Sequence, residues 1–474
     1  MAGLNHTLNI GAESLFATRQ GVDTAGHNIA NAQVDGYSRQ RINLRQREPL
    51  QVRGLLIGNG AYVGNITRHH DKFVETQLAR AKQEMGHTSA RAEALKSIET
   101  IYSPELASSV SDEVTSFFNG LEDLSNFPED FTVRTSVVEN GKNVAAAFRR
   151  VDTDLKTQRA GMNELVGQTA AELTDNLRQI ADLNIKINTA EAGVDQNAND
   201  MRDQRDRLVR EVSDAIDIHY YEDQHGMMVI RGPSETTLVD AAHSSTIGVA
   251  RNDMNDGHYN VVVTDWEGHG SRNITEKIEG GKMAAYIQVR DKDLPGLMGK
   301  NNEMAYTFAN NFNEVHRQGY GLKNYAEVTG RDFFKAPTNL ASAAQDIQLD
   351  DAITSSNDAI ACASSPMAPG DNVVMNELIK LKDVKMFGSG QANLNEFYAN
   401  YTGALGLDTQ RAGHLREANA IQVEDLNKRR EAISGVSLDE EATNILKWQA
   451  NFTASSKVIT TVDEMYETVL SLKR

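Results

Sequence analysis

Residue types able to do chemistry are present in this chain, but their spacing does not assemble them. Of the 12 histidines, His69 and His70 stand beside Asp71. Neighbours on a helix point about 100° apart and do not converge on one ion, so the trio reads as a solvated helix start. His219, His225, His243, His258 and His269 are scattered through a β-prone stretch and read as loop side chains. Asp253 to Gly257 resembles part of a calcium loop, yet no bidentate Glu follows at the required offset, and a hairpin turn explains it better. Gly296-Leu297-Met298-Gly299-Lys300 has the wrong spacing for a phosphate-cradling loop and lacks its Ser or Thr. No GxGxxG follows a strand, and no GxSxG nucleophile elbow is present. The single cysteine, Cys362, allows no internal disulfide and sits in Ala-Cys-Ala-Ser with no local cue for thiolate activation. The alternating charges from Asp200 to Arg207 read more readily as an ion-paired, solvated helix face than as a binding patch. No catalytic residue, cofactor or metal is expected, and the chain does not read as an enzyme.

The composition narrows the partners. Lys+Arg 48 against Asp+Glu 66 gives a net charge of −18 over 474 residues. A nucleic-acid binder or an anionic-membrane binder needs a basic footprint that this chain lacks. Eight prolines favour long helices over a Pro-rich disordered chain. No stretch approaches the roughly 18 uninterrupted apolar residues of a membrane span. The N-terminus lacks the basic and apolar regions of a secretory signal, so the expectation is a cytoplasmic chain or one exported without a cleaved signal.

What remains is a scaffold of helices. Leu4, Leu8, Gly11, Leu15, Thr18, Val22, Ala25 and Ile29 repeat at intervals of four and three, the rhythm of a coiled-coil seam. Val458, Val462, Met465, Val469 and Leu472 repeat it near the other end, and the pattern carries helix to Arg474. Each helix has an apolar stripe that it cannot bury alone. The two ends are expected to pair with each other inside the monomer, with copies from neighbouring subunits, or both. Gly3, Gly11, Gly21 and Gly26 weaken the first helix, which favours ordering on assembly. Asp35-Gly36 ends that helix in a turn. Irregular strand and loop follow from Tyr37 to Ile66.

Helix dominates from Asp71 to Ile218, with one stripe at Val114, Phe117, Phe118, Leu121 and Leu124 and a longer one from Leu173 to Ile187. Short β-prone runs occupy Ile218 to Ile278, and a loop-rich part covers 319–372. The fold class is therefore mainly α with an inserted small β-domain. Three units are expected: a terminal coiled coil from 1–40 and 435–474, a rod-like helical bundle from 41–217 and 279–434, and a β-rich outer insertion at 218–278.

The residues Gly26-His27-Asn28-Ile29-Ala30-Asn31 followed by Gly36-Tyr37-Ser38-Arg39 resemble the N-terminal signature of bacterial flagellar axial proteins, the family of rod, hook and hook-associated proteins. Asp203-Gln204-Arg205-Asp206, the stretch from Val289 through His316-Arg317-Gln318-Gly319-Tyr320, and Gly435 through Met465 bring it nearest to members at the first of two junction zones between hook and filament. The resemblance runs from end to end and implies a structural adaptor built by subunit polymerisation. It implies terminal helices lining an axial channel, with hook protein on one side and a second junction protein on the other. It also implies self-association, export by the flagellar type III apparatus without a cleaved signal, and a chaperone covering the C-terminal helix. No nucleic acid and no membrane is expected as partner. On this reading Leu4, Leu8, Leu15, Val22, Ile29, Val458, Val462, Met465, Val469 and Leu472 form the assembly interface, and Asn28, Ile29, Ala30, Asn31, Gly36 and Tyr37 the family motif. The short Ile218–Ile278 segment implies that an outer domain of longer relatives is reduced or absent. The alternatives are another axial protein of the distal rod or hook, or an enzyme carried on the flagellum.

Overall fold

The computed structural model describes residues 2–52, 54–103, 108–193, 196–268 and 270–472; His269 and the chain end at Arg474 lie outside them. Helix α1 spans Ala2–Asn31 and leads through the turn at Asp35-Gly36 into strand β1, Gln40–Gln46. Gly36 has φ +84°, a conformation open to glycine at no steric cost. The segment expected as irregular is an antiparallel ribbon: β2 (Leu50–Val52) and β3 (Leu55–Ile57) form its tip, and β4 (Ala61–Arg68) pairs with β1.

Helix α2, Lys72–Ile101, starts where Asp71 accepts hydrogen bonds from the Phe73 and Val74 amides. Helix α3, Val110–Asn126, opens with a capping box between Ser109 and Asp112 and stops before Pro128. Asp130 then caps α4, Phe131–Glu191, whose 61 residues make one helix. At 1.5 Å per residue it is about 90 Å long. Helix α5, Asn199–Ala215, turns back along it.

The β-prone stretch makes two small antiparallel sheets. One is β5 (His219–Glu222), β6 (Met228–Gly232), β7 (Thr236–Asp240) and β8 (His243–Ser244); the other is β9 (Thr246–Asn252), β10 (His258–Thr264) and β11 (Ser271–Asn273). Asp253 to Gly257 forms the β9–β10 turn, with Asp256 left-handed at φ +50°. Helix α6 (Gly281–Gln288) continues through a π-helical turn at Val289–Asp293 into α7 (Leu294–His316). The loop-rich part holds the short helices α8 (Ala343–Asp346) and α9 (Asp351–Ser355), followed by α10 (Val373–Lys380). Two long helices finish the described chain, α11 (Leu394–Ser434) and α12 (Leu438–Ser471), broken at Gly435-Val436-Ser437.

Two cores hang on α4. Its N-terminal half packs with α3, α7 and the loop-rich part around Phe117, Phe148, Phe308, Phe312, Phe333 and Phe334. Its C-terminal half buries Leu173, Leu177 and Ile180 against α5, α6 and the β-sheets. A smaller cluster of Leu78, Ala81, Val423 and Leu426 joins α2 to α11. The β-sheets therefore lie along one flank of α4, where Asn184 bonds Met228 and Thr174 bonds Ile247.

Candidate functional site

The terminal helices pair in antiparallel fashion. Asn5 meets Tyr466, Ser14 Oγ lies 2.6 Å from Ser455 Oγ, and Trp448 lies over Gly21. The inner line of α1 runs through Gly11, Ser14, Thr18, Gly21, Ala25 and Asn28, residues small enough to bring the two helices close. Opposite it stand Glu441, Trp448, Ser455, Ile459, Val462 and Tyr466. A Cβ at Gly21 would overlap the Trp448 indole, so glycine is required there for the approach.

This packing distributes the proposed interface residues unevenly. Val462 is buried between the helices. Leu4, Leu8, Leu15 and Val22 are half-buried at the edge of the seam. Ile29, Val458, Met465, Val469 and Leu472 face solvent, the last with 81% of its surface open. Leu446, Phe452 and Leu470 extend the exposed face of α12, and Phe16 adds to that of α1. Helix α1 thus turns its small residues inward, while both helices show large apolar side chains to solvent.

The signature residues build the joint between this hairpin and the rest. Asn28 is buried; its Oδ1 accepts from the Gln40 amide at 2.9 Å and from the Tyr37 hydroxyl at 2.8 Å, while its Nδ2 donates to the Gln40 carbonyl at 2.8 Å. That one side chain closes the turn from helix to strand. Asn31 donates to the His27 carbonyl, whereas Ile29 and Ala30 are exposed. Burial and the nearby carboxylates Asp200, Asp203 and Glu441 hold the Tyr37 phenol well above its ordinary pKa, so it stays a neutral donor.

Around this turn lies a network of buried charge. Arg39 pairs with Glu441 at 2.7 Å and Glu440 at 2.6 Å, binding the start of α12, and its amide donates to the Ser434 carbonyl. Asp203 accepts from the Ser38 amide at 2.7 Å and from Arg68 at 2.6 Å. Arg68 also pairs with Asp206 at 2.7 Å. The Glu75 carboxylate takes Arg210 at 2.7 Å and Arg430 at 3.0 Å, so three helices converge on one side chain. The charge run from Asp200 to Arg207 is ion-paired as expected but not solvated throughout: Asp200 and Arg207 are exposed, whereas Asp203 and Arg205 are buried, Arg205 bonding Asn184, the Gly226 carbonyl and Glu222. Pairing made across 135 or more residues is invisible to local spacing, and Glu75, Arg68, Arg210 and Arg430 carried no sequence signal. The one clue was the Asp203-Gln204-Arg205-Asp206 motif itself.

The chemistry-bearing residues stay dispersed. Among the described residues no three His, Cys, Asp or Glu side chains converge to hold a metal ion. Burial and the guanidinium of Arg68 hold His70 below its ordinary pKa. Cys362 is buried, accepts from Arg134 and has its thiol pushed up to about 11. His316 is fully buried between the Arg331 carbonyl and the Ala361 amide and held down to about 4 by desolvation, which makes it a structural neutral imidazole. Among the described residues no helix is long and apolar enough to cross a membrane.

Comparison with known proteins places this architecture. The family description "Flagellar hook-associated protein FlgK helical domain" matches residues 95–334, and "Flagellar basal body rod FlgEFG protein C-terminal" matches 431–472. The second is a rod-protein description; the first singles out the hook-associated group. The flagellar hook-associated protein 1 of Bacillus subtilis is 25% identical, with 98% of this chain and 97% of that one aligned. The Salmonella typhimurium protein of the same name is 22% identical over 99% of each. That alignment runs over 559 positions against 474 residues here, so the relative carries insertions. The flagellar hook junction protein FlgK from Burkholderia pseudomallei shares the fold, with a TM-score of 0.67 at 13% identity, over 76% of this chain and all of that one.

Proposed function

The chain belongs to the FlgK family of flagellar hook-associated proteins, structural components of the hook–filament junction, and from that membership we propose how its own residues serve assembly. The terminal hairpin is the polymerising element. The observation that supports this is the outward display of Val458, Met465, Val469 and Leu472 on a helix whose inner face is already satisfied by α1. Neighbouring subunits cover that face at about 25 cal/mol per Å² of apolar area removed from water. Leu4, Leu8, Leu15, Val22 and Ile29 complete the same surface, with Val462 holding the pair together beneath it.

The three units take different parts. Residues 1–40 with 435–474 assemble, 41–217 with 279–434 form the rod-like body, and 218–278 lie along its flank. The charge network at Arg39, Asp203 and Glu75 fixes the angle between hairpin and body. Copies of the chain, hook protein on one side and a second junction protein on the other are the partners, and an export chaperone covers the exposed face of α12 beforehand. The chain works outside the cell, exported without a cleaved signal, and has no catalytic role.

Electron microscopy of cells whose chain lacks residues 438–474, with an assay for shed filament protein, tests the reading. Bare hooks and free filament subunits in the medium are expected. Filaments of normal number and attachment would refute it.

A further inference from the structure

The end of the body farthest from the terminal hairpin carries an unexplained apolar surface. Phe127, at the C-terminus of α3, and Phe131, the first residue of α4, are each about two-thirds exposed. The loop that carries Met367 and leads to Val373 is tied to this turn, because Asn372 donates to the Ser125 carbonyl at 2.7 Å and Gly370 adjoins Glu129, and both apolar side chains are exposed. The α3–α4 turn is held rigidly: buried Arg134 donates to the carbonyls of Pro128, Asn357 and Ile360. Met367 has φ +57°, a left-handed conformation that costs a side-chain-bearing residue about 1 kcal/mol, and it is 70% exposed. A fold that holds an apolar side chain in water by a strained backbone is presenting it. Asp123, Glu129, Asp130 and Asp371 frame the patch with negative charge, while Lys382 beside it is paired with Glu122.

We propose that this patch docks a different axial protein of the flagellum, one that offers an apolar recess rimmed by lysine or arginine. The inference rests on the junction reading above. The acidic frame calls for a basic rim, because like charge across a contact is costly. A second copy of this chain is disfavoured as occupant: its net charge is −18, so the acidic frame would meet a predominantly acidic surface. A junction component must instead present a non-identical neighbour with a surface of its own.

The test uses the full chain in cells. In Phe127→Ser/Phe131→Ser the number of filament-bearing cells is expected to fall about tenfold or more, as for an interface anchor. The melting temperature of the purified chain stays unchanged, because both rings are exposed. Met367→Cys then locates the occupant: Cys362 is buried, so a maleimide–succinimidyl ester linker applied to isolated hook–basal bodies joins the new thiol to a lysine of whatever lies against the patch, with the unsubstituted chain as control. An adduct joining this chain to a different axial protein is expected. An adduct joining two copies, or none, overturns the proposal, as does normal filament attachment in the double variant. If the 438–474 deletion leaves filaments attached, the junction reading falls; if that deletion strips them and the double variant does not, the patch proposal alone falls.

Discussion

Single side chains decide how closely the terminal helices meet and how the body tolerates acid. Gly21 lies under Trp448, so Gly21→Leu must push the indole and α12 outward, and overpacking of this kind costs about 1–3 kcal/mol. The chain has two tryptophans, and in a Trp266→Phe background the emission of Trp448 reports its surroundings alone. A red-shifted spectrum in the Leu variant is expected; an unshifted one would mean the helices are looser than the seam implies. His316 sets a pH window. Its imidazole is neutral in the folded chain with a pKa near 4, against about 6.5 when unfolded, so the unfolded chain binds the extra proton between those values. Its contribution is fully present above about pH 6.5 and is lost as pH falls toward 4, by a sum on the order of 3 kcal/mol. In melting curves at stepped pH, His316→Gln should start less stable and lose less across that window. An unchanged slope would mean that carboxylates elsewhere carry all of the acid sensitivity.

At the scale of elements, the hairpin is tied to the body by few groups, and Arg39 holds the start of α12 through Glu441 and Glu440. Glu441 is buried and Glu440 exposed, so the two bonds differ in worth. A double-mutant cycle on Arg39→Ala and Glu441→Gln, read by hydrogen exchange of the first turns of α12, should give a coupling of about 1–2 kcal/mol. The same cycle with Glu440→Gln should give a few tenths. Equal couplings would mean that burial does not set the strength of this tie. These elements were legible in the sequence to different degrees. Helix α3 was readable from the stripe Val114 to Leu124 and the stop at Pro128, and the β9–β10 turn from Asp256-Gly257, because both signals are local. The pairing of the two ends was readable from heptads alone. Its inner line was readable in part: Gly11, Thr18 and Ala25 of the heptad lie on it, whereas close approach selects Ser14, Gly21 and Asn28 in place of Leu15, Val22 and Ile29, one position earlier each. The joint was least legible. Asp203 and Arg205 alternate in sign as surface residues do, and only contacts with Ser38, Arg68 and Asn184 reveal them as buried.

For the whole molecule, stability is divided unevenly along its length. Among the described residues, the buried apolar clusters draw on α2 to α11 and the β-sheets, and none draws on α1 or α12. The hairpin is therefore held by a narrow seam, by the β1–β4 ribbon, where Arg47 pairs with Glu13 at 2.7 Å and Gly60 lies against Ile10, by the Asn28 turn and by the Arg39 ion pairs, while the body has two cores threaded by one helix. Segments with few buried apolar contacts open at low free energy while the rest stays folded. Brief proteolysis of the free chain should accordingly cut within 2–36 and 438–472 first and leave a resistant body spanning roughly 37–437, separable by mass spectrometry. Higher salt should speed those cuts, because it screens the exposed Arg39–Glu440 pair. In assembled flagella the same sites should be protected, since the apolar face of α12 is then covered. Early cuts inside α4 or α7, with the termini intact, would place the weak point in the body and contradict this division. Protection of the termini already in the free monomer would mean that the hairpin is ordered before assembly, and that neighbouring subunits add contacts to it without completing its fold.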